Sequence, residues 1–431
     1  MPPTFTKRLT NLRSKSKKLH LMFSPACPFT PEESLSLDGP PDAMISMAGR
    51  TFQYHLGSGY YALQSHPEVL EAVCNATLRY GISSGISRSV LTAPPIFEVE
   101  HKIAQILSTQ CAYYCPTGFV TNRTLLETLL GTFDHLFIDE AASPSLFDAL
   151  KFLQRETAPP IRFAHRSADD LKTQLDKTLR PRQHPLVLTD GVFFSHGTIA
   201  PLDQYDAVLA DYDGAAVWID DSHGFGIIGK QARGTLEFFG FPPRRINRTV
   251  QVSEGSLTDS STFSLTTPFV SQTPVRYYFS ATLSGVIGGC GGILPGSEAF
   301  VQRIFERSRT IYEAEPPPTP IVAATVKGLE LVFGQTNLRE ALQKNTQTLQ
   351  KELRGLGIMI EETPLPILTF QLGSSYNMRR IQRTLAKEGI LISYLPRLPG
   401  LGPDGTLHLT VFATHTPEQL NRLINALRRE L

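Results

Sequence analysis

Ala215-Ala216-Val217-Trp218-Ile219-Asp220-Asp221-Ser222-His223-Gly224 passes from five consecutive apolar residues straight into two carboxylates, a hydroxyl and an imidazole. A run that is apolar at successive positions is buried on both faces, as in a parallel strand covered by helices. Similar runs at 112–115, 136–138, 161–164, 186–188 and 277–279 alternate with helical patterns up to about residue 310. That alternation predicts an α/β architecture, a doubly wound and mostly parallel sheet. Ligands in such sheets sit beyond the carboxyl ends of the strands. Asp220 and His223 therefore fall where chemistry belongs.

Upstream, Ser65-His66-Pro67-Glu68 reads as a capping box with proline in the first turn. Val69, Leu70, Val73 and Thr77 continue it as a helical stripe that Gly81 can close. A second helix should follow Pro94-Pro95, with Ile96, Val99, Ile103, Ile106 and Leu107 on one face. Downstream, Pro316-Pro317-Pro318 interrupts the pattern. A long helix from about 321 to 353 and strands at 367–371 and 407–412 then predict a smaller α+β domain. The expected division is an arm and connecting segment at 1–50, a large domain at 51–315 and a small C-terminal domain at 316–431.

Hydrophobic residues make up 41% of the 431 and charged ones 19%, an ordinary globular composition without an apolar run of membrane-spanning length. A formal net charge of +1 supplies no field to recruit nucleic acid. Lys7, Arg8, Arg13, Lys15, Lys17 and Lys18 precede the first acidic residue, Glu32, and read as a solvated basic arm. The cysteines, Cys27, Cys74, Cys111, Cys115 and Cys290, are odd in number and lack zinc-knuckle spacing. They read as reduced thiols of a cytoplasmic protein, with no metal site expected.

Two more loops sit at strand ends. Thr117-Gly118-Phe119 opens a helix whose free N–H groups and dipole suit a phosphate, although a glycine there is ordinarily a turn residue. Residues 280–292 are glycine-rich and carry the hydroxyls of Thr282 and Ser284, as a chain passing close to a ligand would.

Taken in order, Tyr54-His55-Leu56-Gly57, Ser65-His66-Pro67, Gly85-Ile86-Ser87-Arg88, Thr189-Asp190-Gly191-Val192-Phe193, Ile199-Ala200-Pro201-Leu202, Asp220-Asp221-Ser222-His223-Gly224, Gly229, Arg233-Gly234-Thr235 and His415-Thr416 resemble the α-oxoamine synthases. These are relatives of 8-amino-7-oxononanoate synthase, 2-amino-3-ketobutyrate ligase, 5-aminolevulinate synthase and serine palmitoyltransferase. The resemblance spans about residues 50–431. It implies the pyridoxal-phosphate (PLP) transferase fold of type I, and a homodimer that condenses an amino acid with an acyl-CoA at the subunit interface. By the same resemblance Asp220 pairs with the cofactor's pyridinium nitrogen and His223 lies beside its phenolic oxygen. Gly118 and Phe119 match a Gly-Tyr pair behind phosphate and ring, and Thr282 and Ser284 match cofactor-loop hydroxyls.

The departures from the family pattern fall in the same pocket. Gly285 stands where the Schiff-base lysine belongs, so no aldimine can form there. Ser143 replaces the ring-stacking histidine, Phe194 a serine and His196 an aspartate, while Thr406 or His408 falls on the carboxylate-binding arginine. Glu313 and Glu315 lie where relatives carry phosphate-binding hydroxyls; a glutamate about 4 Å from a phosphate costs several kcal/mol unless a cation or proton intervenes. The first reading is thus a non-catalytic or repurposed subunit, as a homodimer or in a heterodimer with an active relative. The second is acyl-CoA chemistry without a lysine, using His223, His196 or Asp190 as acid or base. The third is a conventional PLP acyltransferase or aminotransferase whose lysine lies elsewhere, Lys230 being nearest. A hydrolase triad of Ser195, His196 and Asp190 lacks a nucleophile elbow.

Overall fold

The computed structural model describes residues 37–47, 49–88, 90–152, 158–241 and 275–431. The basic arm, Cys27 and the Glu313 side chain lie outside the described residues.

Strands β1 (Met44–Met47) and β2 (Arg50–Tyr54) form a hairpin before the first helices, Pro67–Tyr80 and Pro94–Leu107. The large sheet then builds from β3 (Cys111–Cys115), β4 (His135–Asp139), β5 (Ile161–Phe163) and β6 (Pro185–Asp190). A small β-hairpin of β7 (Val192–Phe193) and β8 (Thr198–Ile199) precedes β9 (Ala216–Asp220), β10 (Arg276–Thr282) and β11 (Gly292–Gly296). The sheet order is β3-β11-β10-β9-β6-β4-β5. β11 runs antiparallel to both neighbours and all other pairs are parallel. Successive strand residues enter different cores: Phe137, Val187 and Val217 pack on one face, and Ile138, Leu188 and Trp218 on the other. This double burial is why the runs are apolar without alternation.

After the helices Glu298–Arg307 and Thr310–Glu313, the predicted long helix is two, Thr319–Gly334 and Thr336–Gly355. The break is Gln335, whose backbone is extended at φ −120 and ψ 122. β12 (Ile367–Phe370), β13 (Ile390–Leu391), β14 (Ser393–Leu395) and β15 (Thr406–Thr410) follow, with the order β12-β15-β14 in an antiparallel sheet.

Three expectations are corrected. Residues 44–47 are not a mere connecting segment: β1 pairs β2, and β2 pairs β13 in parallel, so this hairpin joins the C-terminal part of the fold. His66, not Ser65, is the N-cap residue of Pro67–Tyr80, and it makes no side-chain cap bond. The Ser65 hydroxyl instead donates to the carbonyls of Pro41 and Ala62. Finally, the glycine-rich loop ends in a strand, β11, which pairs antiparallel with β10 and β3, and Gly292 at its start leaves room for Thr121 Oγ1 of the helix Gly118–Leu129.

Candidate functional site

Strand ends converge on a cavity of about 750 Å³. After β3, Thr117 caps the helix Gly118–Leu129, its Oγ1 accepting from Val120 N at 3.2 Å. A β-carbon at Gly118 would stand 3.1 Å from Thr282 Cβ, so glycine lets this helix N-terminus close on β10 without displacing Thr282. Thr282 Oγ1 and Ser284 Oγ lie 3.1 Å apart beside it, and Phe119 remains 58% exposed at the rim. Free amides and three hydroxyls at a helix N-terminus make an anion cradle.

At the end of β9 the Asp220 carboxylate accepts from Asn122 Nδ2 at 2.7 Å, Ser145 Oγ at 3.4 Å, and Ser222 N at 3.2 Å and Oγ at 2.5 Å. Asn122 is held in turn: Trp218 Nε1 donates to Ser280 Oγ at 3.0 Å, and Ser280 Oγ donates to Asn122 Oδ1 at 2.9 Å. That relay fixes the amide so that its NH₂ end faces Asp220. Asp190, opposite Asp220 across the β6–β9 pair, is buried, and burial followed by the Asp220 charge pushes its carboxyl well above the usual range.

His223 lies between a tyrosine and an aromatic stack. Its Nδ1 is 3.5 Å from Tyr60 Oη, and its ring stacks on Phe194 with centroids 4.6 Å apart. His408 donates Nε2–H to the Phe194 carbonyl at 3.0 Å. Burial, and then His408, lower His223 to about 4, so it is a neutral imidazole at physiological pH.

Burial likewise depresses His55, His196, His408 and His415. With His223, five imidazoles stay neutral in the fold yet would protonate in the unfolded chain near 6.5. Glu100, Asp190 and Asp221 are raised and act oppositely. The histidine contribution to stability is therefore present above 6.5 and lost as pH falls toward about 4, the range set by His196, His223, His408 and His415, while the three raised carboxyls oppose it. Urea unfolding followed from neutral pH toward pH 4 should show the decline, and a shallower one in His408→Gln. A flat profile would refute the neutral imidazoles.

Asp220, His223, Gly118, Phe119, Thr282, Ser284, Ser143 and Phe194 all line the cavity, with Asp190, Ser195 and His196. Gly285 does not: a β-carbon there would run into Ser58 Oγ and stand 3.0 Å from Ser58 Cβ. Glu315 is exposed and lines no part of the cavity. Lys230 borders a second cavity of about 530 Å³ instead, and among the described residues lining the first there is no lysine. His196 directs Nε2–H to the Pro399 carbonyl at 2.7 Å, which leaves no triad with Ser195. Asn122, Ser145, Ser222, Ser58 and Tyr60 are missed by sequence reasoning. Only Asn122 leaves a trace, as a polar residue that a helix following a buried strand turns inward, and Thr121 and Thr124 beside it are equally buried.

Residues 53–427 match the family model described as aminotransferase class I and II. The 8-amino-7-oxononanoate synthase of Herminiimonas arsenicoxydans is 30% identical over 399 residues, covering 91% of this chain and 93% of its own. A solved serine palmitoyltransferase from Sphingomonas wittichii superposes with a TM-score of 0.77 at 21% identity, over 98% of this chain and 97% of that one. The 8-amino-7-oxononanoate synthase structure from Francisella tularensis gives a TM-score of 0.67 at 20% identity, over 88% and 97%. The architecture is therefore that of the type I PLP-dependent transferases. The chain belongs to the aminotransferase class I and II family and, within it, to the α-oxoamine synthases.

Proposed function

We propose that this chain is an α-oxoamine synthase-like protein of the acyl-CoA:amino acid C-acyltransferase kind whose pocket works without a lysine aldimine, as a non-catalytic or repurposed subunit. The observation that carries this reading is Gly285, whose side-chain space is taken by Ser58. Bound PLP supplies an electron-accepting ring in this family of folds. The residues present fit that group in part. Thr117, Thr282, Ser284 and the amides at Gly118 and Phe119 would hold its phosphate, and Asp220 its ring nitrogen. Ser143 offers no stacking face, and Phe194 covers the imidazole of His223. The fit supports non-covalent retention at most.

Titration of the purified chain with PLP should give no aldimine absorbance. Borohydride reduction and peptide mapping should then yield no pyridoxyl-lysine; recovery of one at any position, Lys230 included, would restore the conventional reading.

A second reading draws on the neutral His223 facing the cavity, a poised proton acceptor for lysine-free acyl-CoA chemistry. Turnover of an acyl-CoA that survives removal of PLP and vanishes in His223→Ala would favour it.

The assembly we propose is a homodimer, or a heterodimer with an active relative, in the cytoplasm. Leu78, Ile82, Val90 and Leu91 are 88%, 72%, 70% and 60% exposed within one short stretch of chain, apolar surface of the kind a subunit interface would cover. Light scattering on the pure chain should give twice the monomer mass, and Ile82→Asp with Val90→Asp should halve it. An unchanged mass in the variant would place the interface elsewhere.

A further inference from the structure

His165 and His196 meet beside the main cavity, ring centroids 4.4 Å apart and planes inclined by 40°. His165 Nδ1 lies 3.0 Å from Asp139 Oδ1, whose other oxygen accepts from Arg166 N at 2.9 Å. A carboxylate only accepts, so the hydrogen of His165 is on Nδ1. His196 Nε2 lies 2.7 Å from the Pro399 carbonyl, which also only accepts, so its hydrogen is on Nε2. Each ring is left with one bare nitrogen, Nε2 on His165 and Nδ1 on His196. Both nitrogens are buried without a hydrogen-bond partner. His196 is only 6% exposed and the His165 side chain 10%.

We propose that these two nitrogens form a paired-imidazole site for a borderline divalent cation, zinc or copper(II), with its remaining positions filled from the cavity by water or a ligand oxygen. Three features beyond the bare lone pairs support it. Metal-bound histidines characteristically donate their other N–H to a carboxylate or backbone carbonyl, which fixes tautomer and ring orientation. His165 does so to Asp139 and His196 to Pro399. Two imidazoles sharing one ion at about 2.0–2.1 Å have centroids roughly 5 Å apart when tetrahedral and about 4.5 Å apart at right angles, so the 4.4 Å here suits the tetragonal preference of copper(II) best. The Leu398-Pro399-Gly400 loop also closes on both rings, Gly400 being the one residue type that fits, since its β-carbon would lie 2.6 Å from His165 Cδ2.

The local charge permits a cation. Asp139 contributes a buried carboxylate, and the nearby Arg166 guanidinium is already matched by Glu361 at 2.9 Å. No group of three His, Cys, Asp or Glu side chains converges there among the described residues, so the protein supplies two ligands and the ion stays open. His196 and Pro399, though not His165, line the cavity, the side from which water or a ligand oxygen would reach the ion. The inference is independent of how PLP is held, because neither histidine belongs to the cofactor cradle.

The test uses the tag-free full chain stripped with chelator and titrated with copper(II). One ion per chain is expected, with an electron paramagnetic resonance spectrum showing coupling to two nitrogens. His165→Asn and His196→Asn should each weaken binding at least about tenfold and remove one nitrogen coupling; Asp139→Asn should weaken it about 10–100-fold. Circular dichroism checks that each variant folds. Wild-type chain that binds no copper, or whose spectrum reports one nitrogen or four, overturns the proposal, leaving the bare nitrogens an ordered water only. Binding and spectrum unchanged in the folded histidine variants overturn it equally.

Discussion

Lysine introduced at position 285 is expected to leave the chain unable to form a PLP aldimine. The same lysine combined with Ser58→Gly is expected to restore one in part. The geometry dictates the order of events. A β-carbon at 285 collides with Ser58 Oγ, and turning that hydroxyl away still leaves Ser58 Cβ at 3.0 Å and its carbonyl oxygen at 3.4 Å. Overpacking of this kind costs about 1–3 kcal/mol, and the lysine stem would be pressed against residue 58 rather than aimed at the cavity. Removing the serine side chain clears the path. Thermal melts should show Gly285→Lys less stable than the wild-type chain and the double variant partly recovered, with aldimine absorbance in the double variant alone. An aldimine in the single variant would mean that Ser58 yields freely and that the cavity is closed by something other than this contact.

Gly234→Ala is expected to destabilise the fold severely. Gly234 sits at φ 99 and ψ −163, a backbone region essentially confined to glycine, which costs about 1–3 kcal/mol for any other residue. Its β-carbon would also collide with the carboxylate of Asp221. Asp221 cannot retreat. Thr235 donates to its Oδ2 through N at 2.7 Å and to its Oδ1 through Oγ1 at 2.5 Å, and Gly191 and Gly224 already pack so closely on Oδ1 that neither has room for a β-carbon. Strain and overpacking together remove a large share of the roughly 5–15 kcal/mol by which a fold is stable. Gly234→Ala protein that melts at the wild-type temperature would contradict this.

The same carboxyl gives a second measurable signature. Burial pushes Asp221 to about 7, against the opposing bonds from Thr235. The folded state therefore holds this proton more tightly than the unfolded one. Its contribution is full below about 3.8 and is lost as pH rises to about 7, a change of a few kcal/mol. Asp221→Asn can accept from Thr235 N and donate to Thr235 Oγ1, removing the titration while keeping the shape. The stability of the wild-type chain relative to this variant should fall across that interval and stay level above it; a constant difference would mean that Asp221 is ionised throughout.

These two aspartates explain what a reader of the sequence can and cannot recover. Asp220-Asp221 at the end of an all-apolar run locates the carboxyl edge of the sheet, because a buried parallel strand has no other way to read. Neighbouring strand residues point to opposite faces, so one carboxylate enters the cavity and the other enters the glycine cradle. The cradle itself is invisible in sequence: Gly191 stands more than thirty residues before Gly224 and Gly234, and the three meet only in the fold. Ser58 is hidden for the same reason, since its contact with Gly285 joins segments more than two hundred residues apart. The hairpin at 44–54 was obscured by a polar, proline-rich approach, and its pairing with β13 depends on a strand two residues long. β11 was obscured by Pro295 and its two glycines, residues that ordinarily weaken a strand.

The bond sequence from Trp218 through Ser280 and Asn122 to Asp220 has a practical side. Trp218 is the single tryptophan of the chain and is fully buried, and its indole N–H opens that sequence. Anything that moves or neutralises Asp220 must loosen Asn122, then Ser280, and so alter the polarity felt by the indole. The protein thus carries its own optical gauge at the floor of the pocket: the colour of one indole, excited to the red of the tyrosines and undiluted by any other tryptophan, reads out ligand arrival with no label attached.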